Sequence, residues 1–94
     1  MTISEENKKF LEDLLQYYID QAASYNQFAN EYSKFSSSKK EIAFGVIVGT
    51  VYSAFLQTYS NQQLEVRLDD IQEFHEFMRD NIHKITNALD EKKL

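Results

Sequence analysis

The sequence predicts an all-α protein: one domain over residues 1–94, built from three long helices packed up-down-up and completed by a second copy of the chain. Three observations lead there. Proline is absent and glycine occurs only twice in 94 residues, and these two residue types are the main breakers of helix and punctuators of loops. Apolar residues recur at helical spacing along most of the chain. Two segments, Thr2-Ile3-Ser4-Glu5 and Ser38-Lys39-Lys40-Glu41, have the spacing of capping boxes that open helices.

The first helix is expected over about residues 4–35, with Thr2 and Ser4 as candidate N-caps. Taking Leu11 as heptad position a, that position holds Leu11, Tyr18, Tyr25 and Tyr32. Position d holds Leu14, Gln21, Phe28 and Phe35, and position e adds Leu15, Ala22 and Ala29. The opposite face carries Asp13, Asp20, Gln27 and Lys34. One apolar face sustained over more than three heptads implies a helix about 45 Å long. Ser36-Ser37-Ser38 ends it.

The second helix, 39–60, opens at the Ser38 box. From Ile42 to Leu64 run 23 residues without a charge. Phe44, Ile47, Val48, Val51, Tyr52, Phe55 and Tyr59 cover nearly half of its circumference, and Gly45, Gly49 and Ser53 form a ridge of small residues beside them. The polar remainder is Thr50, Gln57, Ser60 and Asn61. A helix apolar nearly all round has to be covered nearly all round. The run is too long for a strand and does not alternate.

The third helix, 62–90, has Asn61 as its candidate N-cap. Leu64, Leu68, Ile71, His75, Met78, Ile82, Ile85 and Leu89 follow a strict 4-3 spacing, a seam of coiled-coil type. Asp69, Glu73, Glu76, Asp80 and His83 make its solvated face, and the tail from Glu91 to Leu94 is expected to fray. Short connections then force antiparallel neighbours.

Composition narrows the function. Ten Lys and Arg against 15 Asp and Glu give a net charge of −5. Nucleic-acid binders need a basic face to displace phosphate counterions, so that class is set aside. The absence of cysteine removes disulfides, thiol chemistry and thiolate metal sites. The N-terminus is acidic and amphipathic, unlike a secretory signal, which makes cytoplasm the expected location. Charge is unevenly placed. Lys34, Lys39, Lys40, Lys84, Lys92 and Lys93 fall toward the end holding the 36–40 turn. Glu5, Glu6, Glu12, Asp13, Glu65, Asp69, Asp70 and Glu73 fall toward the other, where they complement helix N-termini and offer a docking end for a basic protein.

A lone three-helix domain leaves apolar surface over. The charge-free helix has little surface fit for water, and Phe74, Phe77, Phe10, Tyr17 and Ile19 lie off the seams. Each large apolar side chain left wet forgoes about 1.5–3 kcal/mol. A closed two-fold dimer is the commonest remedy, so the expected interface comprises Gly45, Gly49, Ser53, Phe74, Phe77 and Ile19. A membrane span fits less well, because Gln57, Thr58 and Ser60 shorten the apolar run and the flanking helices are amphipathic.

Catalytic, cofactor and metal sites are expected to be absent. His75 in the seam reads as a hydrogen-bonded core histidine. Asp80-x-x-His83 with Glu76 has chelating spacing, but it stands alone and on the outward face, whereas helical di-metal sites point several such motifs inward. The tyrosines read as core with hydroxyls reaching the rim, and Ser36-Ser37-Ser38-Lys39-Lys40 as a cap rather than an anion site. The function expected is a non-enzymatic helical interaction or scaffold module. The competing class is a small-ligand or metal-binding bundle, with Tyr18, Tyr25, Tyr52 and His75 around a cavity.

Overall fold

In the computed structural model, which describes residues 2–91, every regular element is helical and no strand is present among the described residues. Five helices follow one another: α1 Glu5–Asp20, α2 Ala22–Asn30, α3 Lys39–Asn61, α4 Leu68–Asp80 and α5 Ile82–Glu91. At 1.5 Å per residue α3 spans about 34 Å, most of the longest dimension of 39 Å. It is the axis on which the rest is laid.

The buried side of α3 is one row at four-residue spacing: Ala43, Ile47, Val51, Phe55 and Tyr59. Such a row winds slowly around a helix and packs neighbours at an angle. α2 and α5 lie against α3, as does α1, and α4 reaches it through a ring cluster. There Phe74 packs on Phe55 and Tyr52, with centroids 5.0 and 5.1 Å apart. Leu11 and Leu15 from α1, and Ile85 and Leu89 from α5, complete the core.

The first long helix is broken once. At Gln21 (φ −97°, ψ 16°) α1 gives way to α2, and the Gln21 N–H is shared between the carbonyls of Tyr17 and Tyr18. Past the break the inward face is Ala22 and Ala29, both fully buried. Alanines let α2 lie close to α3 and α5, an approach secured by Asn26 Nδ2 donating to the Leu89 carbonyl at 2.8 Å. The larger Phe28, Tyr32 and Phe35 of the expected seam do not fit so close and face outward, Phe35 being 85% exposed. Residues 31–35 are not α-helix but turns with i→i+3 bonds, such as Phe35 N–H to Tyr32 O at 2.9 Å.

The expected helix over 62–90 is corrected more deeply. Asn61 ends α3 rather than capping a new helix. Gln63 adopts φ 57°, the Leu64 N–H returns to Tyr59 O at 2.9 Å and the Gln63 N–H to Ser60 O at 3.0 Å. This is the Schellman closure, ordinarily marked by glycine. α4 starts only at Leu68, where the Asp70 carboxylate accepts the Arg67 N–H at 3.1 Å. Leu64 and Leu68 are 53% and 68% exposed, and His75 is exposed. The inward face of α4 is instead Asp70, Phe74, Phe77 and Met78. At Asn81 the rod bends again: its N–H bonds Met78 O, and its own Nδ2 takes the abandoned Phe77 carbonyl at 2.8 Å. The remainder of the seam, Ile85 and Leu89, is buried as expected.

Two of the expected caps form, whereas Thr2 bonds Glu73 instead of opening α1. Ser4 Oγ accepts the Asn7 N–H at 3.1 Å, and Ser38 Oγ accepts the Glu41 N–H at 3.2 Å.

Candidate interaction surface

The outward side of α3, opposite its buried row, is a largely apolar surface without a charge between Ile42 and Asn61. Along it Gly45, Gly49 and Ser53 are exposed, with Ile42, Val46 and Leu56 half-buried beside them. Two of its hydroxyls are satisfied within the helix. Thr50 Oγ1 donates to Val46 O at 2.7 Å and Thr58 Oγ1 to Ala54 O at 2.9 Å. Gln57 and Asn61 pair with each other at 2.9 Å. α3 is long and apolar enough to cross a membrane by length and composition, yet only 28% of its most apolar stretch is buried inside the chain. An ordinary core helix would hide most of it.

The glycines sharpen this. A Cβ built on Gly45 or Gly49 meets nothing within 4 Å, so no contact within the chain requires glycine there. Glycine inside a helix nevertheless costs roughly 0.5–1 kcal/mol relative to alanine. Beside the ridge a shallow groove of about 630 Å³ runs between α3 and Tyr18 of α1. Tyr18 belongs to a ring ladder with Tyr17 and Tyr25 at 5.2 and 5.6 Å. Burial first, then the nearby Tyr18 and Tyr17 rings, pushes the Tyr25 hydroxyl above its usual pKa. On the other flank His75 stacks on Tyr52 at 6.0 Å. The four aromatic groups that the competing ligand-binding class would place around one cavity thus divide into two ring clusters.

The other expected interface residues lie elsewhere. Phe74 and Phe77 are 0% and 8% exposed, used within the chain and so withdrawn from any contact outside it. Lys8 Nζ sits 5.0 Å above the Phe77 ring. Ile19 is half-buried and shares with Phe77 a second groove of about 520 Å³ between α1 and the α4–α5 bend. Lys84 lines that groove with Glu12, Asp13 and Asp80, away from the end to which the sequence assigned it. Lys92 and Lys93 lie outside the described residues, as does the tail beyond Glu91. Lys40 pairs with Asp90 at 2.8 Å.

Glu76, Asp80 and His83 are exposed, and no group of three or more His, Asp or Glu side chains among the described residues is placed to hold a metal ion. Ser36 Oγ accepts the Ser38 N–H at 3.1 Å, which with the Ser38 cap uses the serine run internally.

One polar arrangement was not visible in the pattern. Glu73 Oε1 accepts the N–H groups of Thr2 and Ile3 at 2.8 and 3.1 Å, drawing Ile3 into the core. Its Oε2 is buried with no donor among the described residues. Burial alone would raise the Glu73 pKa, but the bonds from Ile3 and Thr2, with the charge of Lys8, bring it below the ordinary value. Nearby, Asn7 and Gln62 exchange side-chain amide bonds at 3.0 and 2.8 Å, and burial followed by the charges of Asp70 and Glu73 raises the Tyr59 pKa. No spacing rule pairs residue 2 with residue 73.

Compared with known proteins, the chain matches no family model, no curated protein and no solved structure.

Proposed function

We propose that the chain is a non-enzymatic helical interaction module that acts as a homodimer, its outward α3 face closed by a second copy. In this reading α1–α2 and α4–α5 each count as one bent rod. With α3 they make an up-down-up three-helix bundle that dimerisation completes. The observation that carries it is the pair of glycines on an exposed, charge-free helix face, where nothing in the chain needs them. Small residues on such a face favour close approach of another backbone. The acidic end, with Glu5, Glu6, Glu65 and Asp69 exposed, supplies a second surface, suited to a basic protein partner. The proposed setting is the cytoplasm.

Sedimentation velocity across a range of protein concentrations tests this. The expected result is a concentration-dependent shift from a species of 11.1 kDa to one of twice that mass. Gly49→Leu should hold the protein monomeric while leaving its helicity intact, because the leucine meets open space in the single chain. A wild-type protein that stays monomeric at high micromolar concentration defeats the proposal.

A second reading, a small-ligand module, is favoured by the groove beside Tyr18, whose lining offers the polar groups of Thr50, Ser53 and Gln57. Saturable quenching of tyrosine fluorescence by a small molecule, lost in Ser53→Leu, would select it.

A further inference from the structure

We propose that the groove between α1 and the α4–α5 bend is a binding site for an α-amino acid with an apolar side chain. No described residue of α3 lines it, so it is independent of the dimer proposed above. Its volume of about 520 Å³ lies within the range of small-molecule sites, about 300–1,000 Å³. The floor is apolar: Leu15 and Phe77 are buried and Ile19 is half-buried. Both signs of charge stand on the rim, as Lys8, Glu12, Asp13, Asp80 and Lys84. Such a site suits a ligand with an apolar body that carries both charges at one end.

Two ion pairs left unmade point to that ligand. Lys8 and Glu12 stand at i,i+4 on α1, and Asp80 and Lys84 stand at the same spacing across the Asn81 bend. Opposite charges so placed ordinarily attract one another, and Lys9 pairs with Asp13 on the same stretch of α1 at 2.8 Å. Neither pair beside the groove is closed, the ion pairs among the described residues being Lys9–Asp13 and Lys40–Asp90. Lys8 Nζ turns instead to the Phe77 ring, 5.0 Å from its centroid. With Asp13 matched by Lys9, the rim keeps two cations, Lys8 and Lys84, and two carboxylates, Glu12 and Asp80. That balance favours neither a simple anion nor a simple cation, since each would meet repulsion from half of the rim. A zwitterion satisfies both halves. An α-amino acid holds its two charges on one carbon, matching Asp80 and Lys84, opposite charges about one helical turn apart. Asp80, with Glu12 across the groove, takes the ammonium and Lys84 the carboxylate, while the apolar side chain rests on Phe77, Leu15 and Ile19.

Titration of the full chain with L-phenylalanine, followed by nuclear magnetic resonance, tests the site. Three further probes keep the ring and remove charge: phenethylamine lacks the carboxylate, hydrocinnamate lacks the ammonium, and N-acetylphenylalanine amide lacks both. Phenylalanine should saturate amide shifts around the groove and bind at least about tenfold tighter than each of the others. Lys84→Gln should bring phenylalanine down to the level of phenethylamine without weakening phenethylamine itself. Asp80→Asn should bring it down to the level of hydrocinnamate. Both side chains are exposed, so each variant is expected to keep the circular dichroism spectrum of the parent. If either loses helicity, the four probes on the parent chain decide alone. Four probes binding alike would reduce the groove to an apolar patch and overturn the proposal. So would shifts that do not saturate by about 20 mM phenylalanine, or saturating shifts confined to the groove beside Tyr18. A protein that binds phenylalanine in this groove while sedimenting as a monomer would defeat the dimer and leave this inference standing.

Discussion

Glu73 shows at the scale of one residue how much a single carboxylate organises. One of its oxygens holds the two N–H groups that bring Ile3 into the core, and hydrogen bonds to a charged acceptor are worth about 1.5–3 kcal/mol. The Glu73 pKa is lower in the fold than its ordinary 4.5. Its contribution is therefore present above that value and is lost as pH falls through the folded value. Glu73→Gln keeps an acceptor but loses the charge and buries amide hydrogens without partners. Chemical denaturation at pH 7 should show a loss of about 1–2 kcal/mol. Below pH 4.5 the variant's stability should fall less steeply than that of the parent. Equal acid limbs would mean the N-terminal segment is held by Ile3 packing alone. Nothing in the sequence announces this contact, since Glu73 sits among Asp69, Glu76 and Asp80 and shares their spacing.

At the scale of elements, the helix ends show what composition conceals. α3 closes through Gln63 in the left-handed region, which glycine enters without the Cβ penalty. Gln63→Gly should raise stability by about 1 kcal/mol, read as a higher denaturation midpoint with an unchanged slope. An unchanged or lower midpoint would mean the glutamine side chain compensates. The same position explains why the 62–67 connection was missed: with no proline or glycine, the apolar period runs from Tyr59 through Leu64 to Leu68 as if one helix followed another. The period was legible where large side chains decide the packing, at Leu11, Leu15, Ile47, Val51, Phe55, Ile85 and Leu89. It misled where small ones do. Ala22 and Ala29 draw α2 inward and leave Phe28, Tyr32 and Phe35 in solvent, and Phe74 with Phe77 displaces His75 from the core. A hydrophobicity pattern weighs a phenylalanine above an alanine, whereas close packing of two helices can reverse that order. The ridge at Gly45, Gly49 and Ser53 was legible as small; only the structure shows that it faces outward.

At the scale of the whole molecule, the proposed dimer would tie stability to association, because a second copy would supply the cover that α3 lacks. If unfolding starts from a dimer, mass action makes the melting temperature depend on concentration. A tenfold rise in protein concentration adds about 1.4 kcal/mol per dimer and should raise the melting temperature measurably. Gly49→Leu should abolish that dependence while melting at a temperature close to that of the dilute parent. A parent whose melting temperature is the same at 2 and 200 micromolar (about two decades apart) would show that the chain unfolds alone.

The contacts that close the core also bear on how the chain is made. Thr2 and Ile3 are held by Glu73, Asn7 by Gln62, and Phe55 waits for Phe74. A chain emerging from its N-terminus therefore presents α1, α2 and the whole of α3 before the residues that seal them exist. During that interval the apolar helix lacks the part of its core-side cover that α4 and α5 supply, and its outward side is bare as well. Transiently exposed apolar surface of this kind is where aggregation starts. Synthesis is therefore the interval in which this surface stands open, and it ends only when α4 and then α5 arrive, the latter bringing Ile85 and Leu89 to the core.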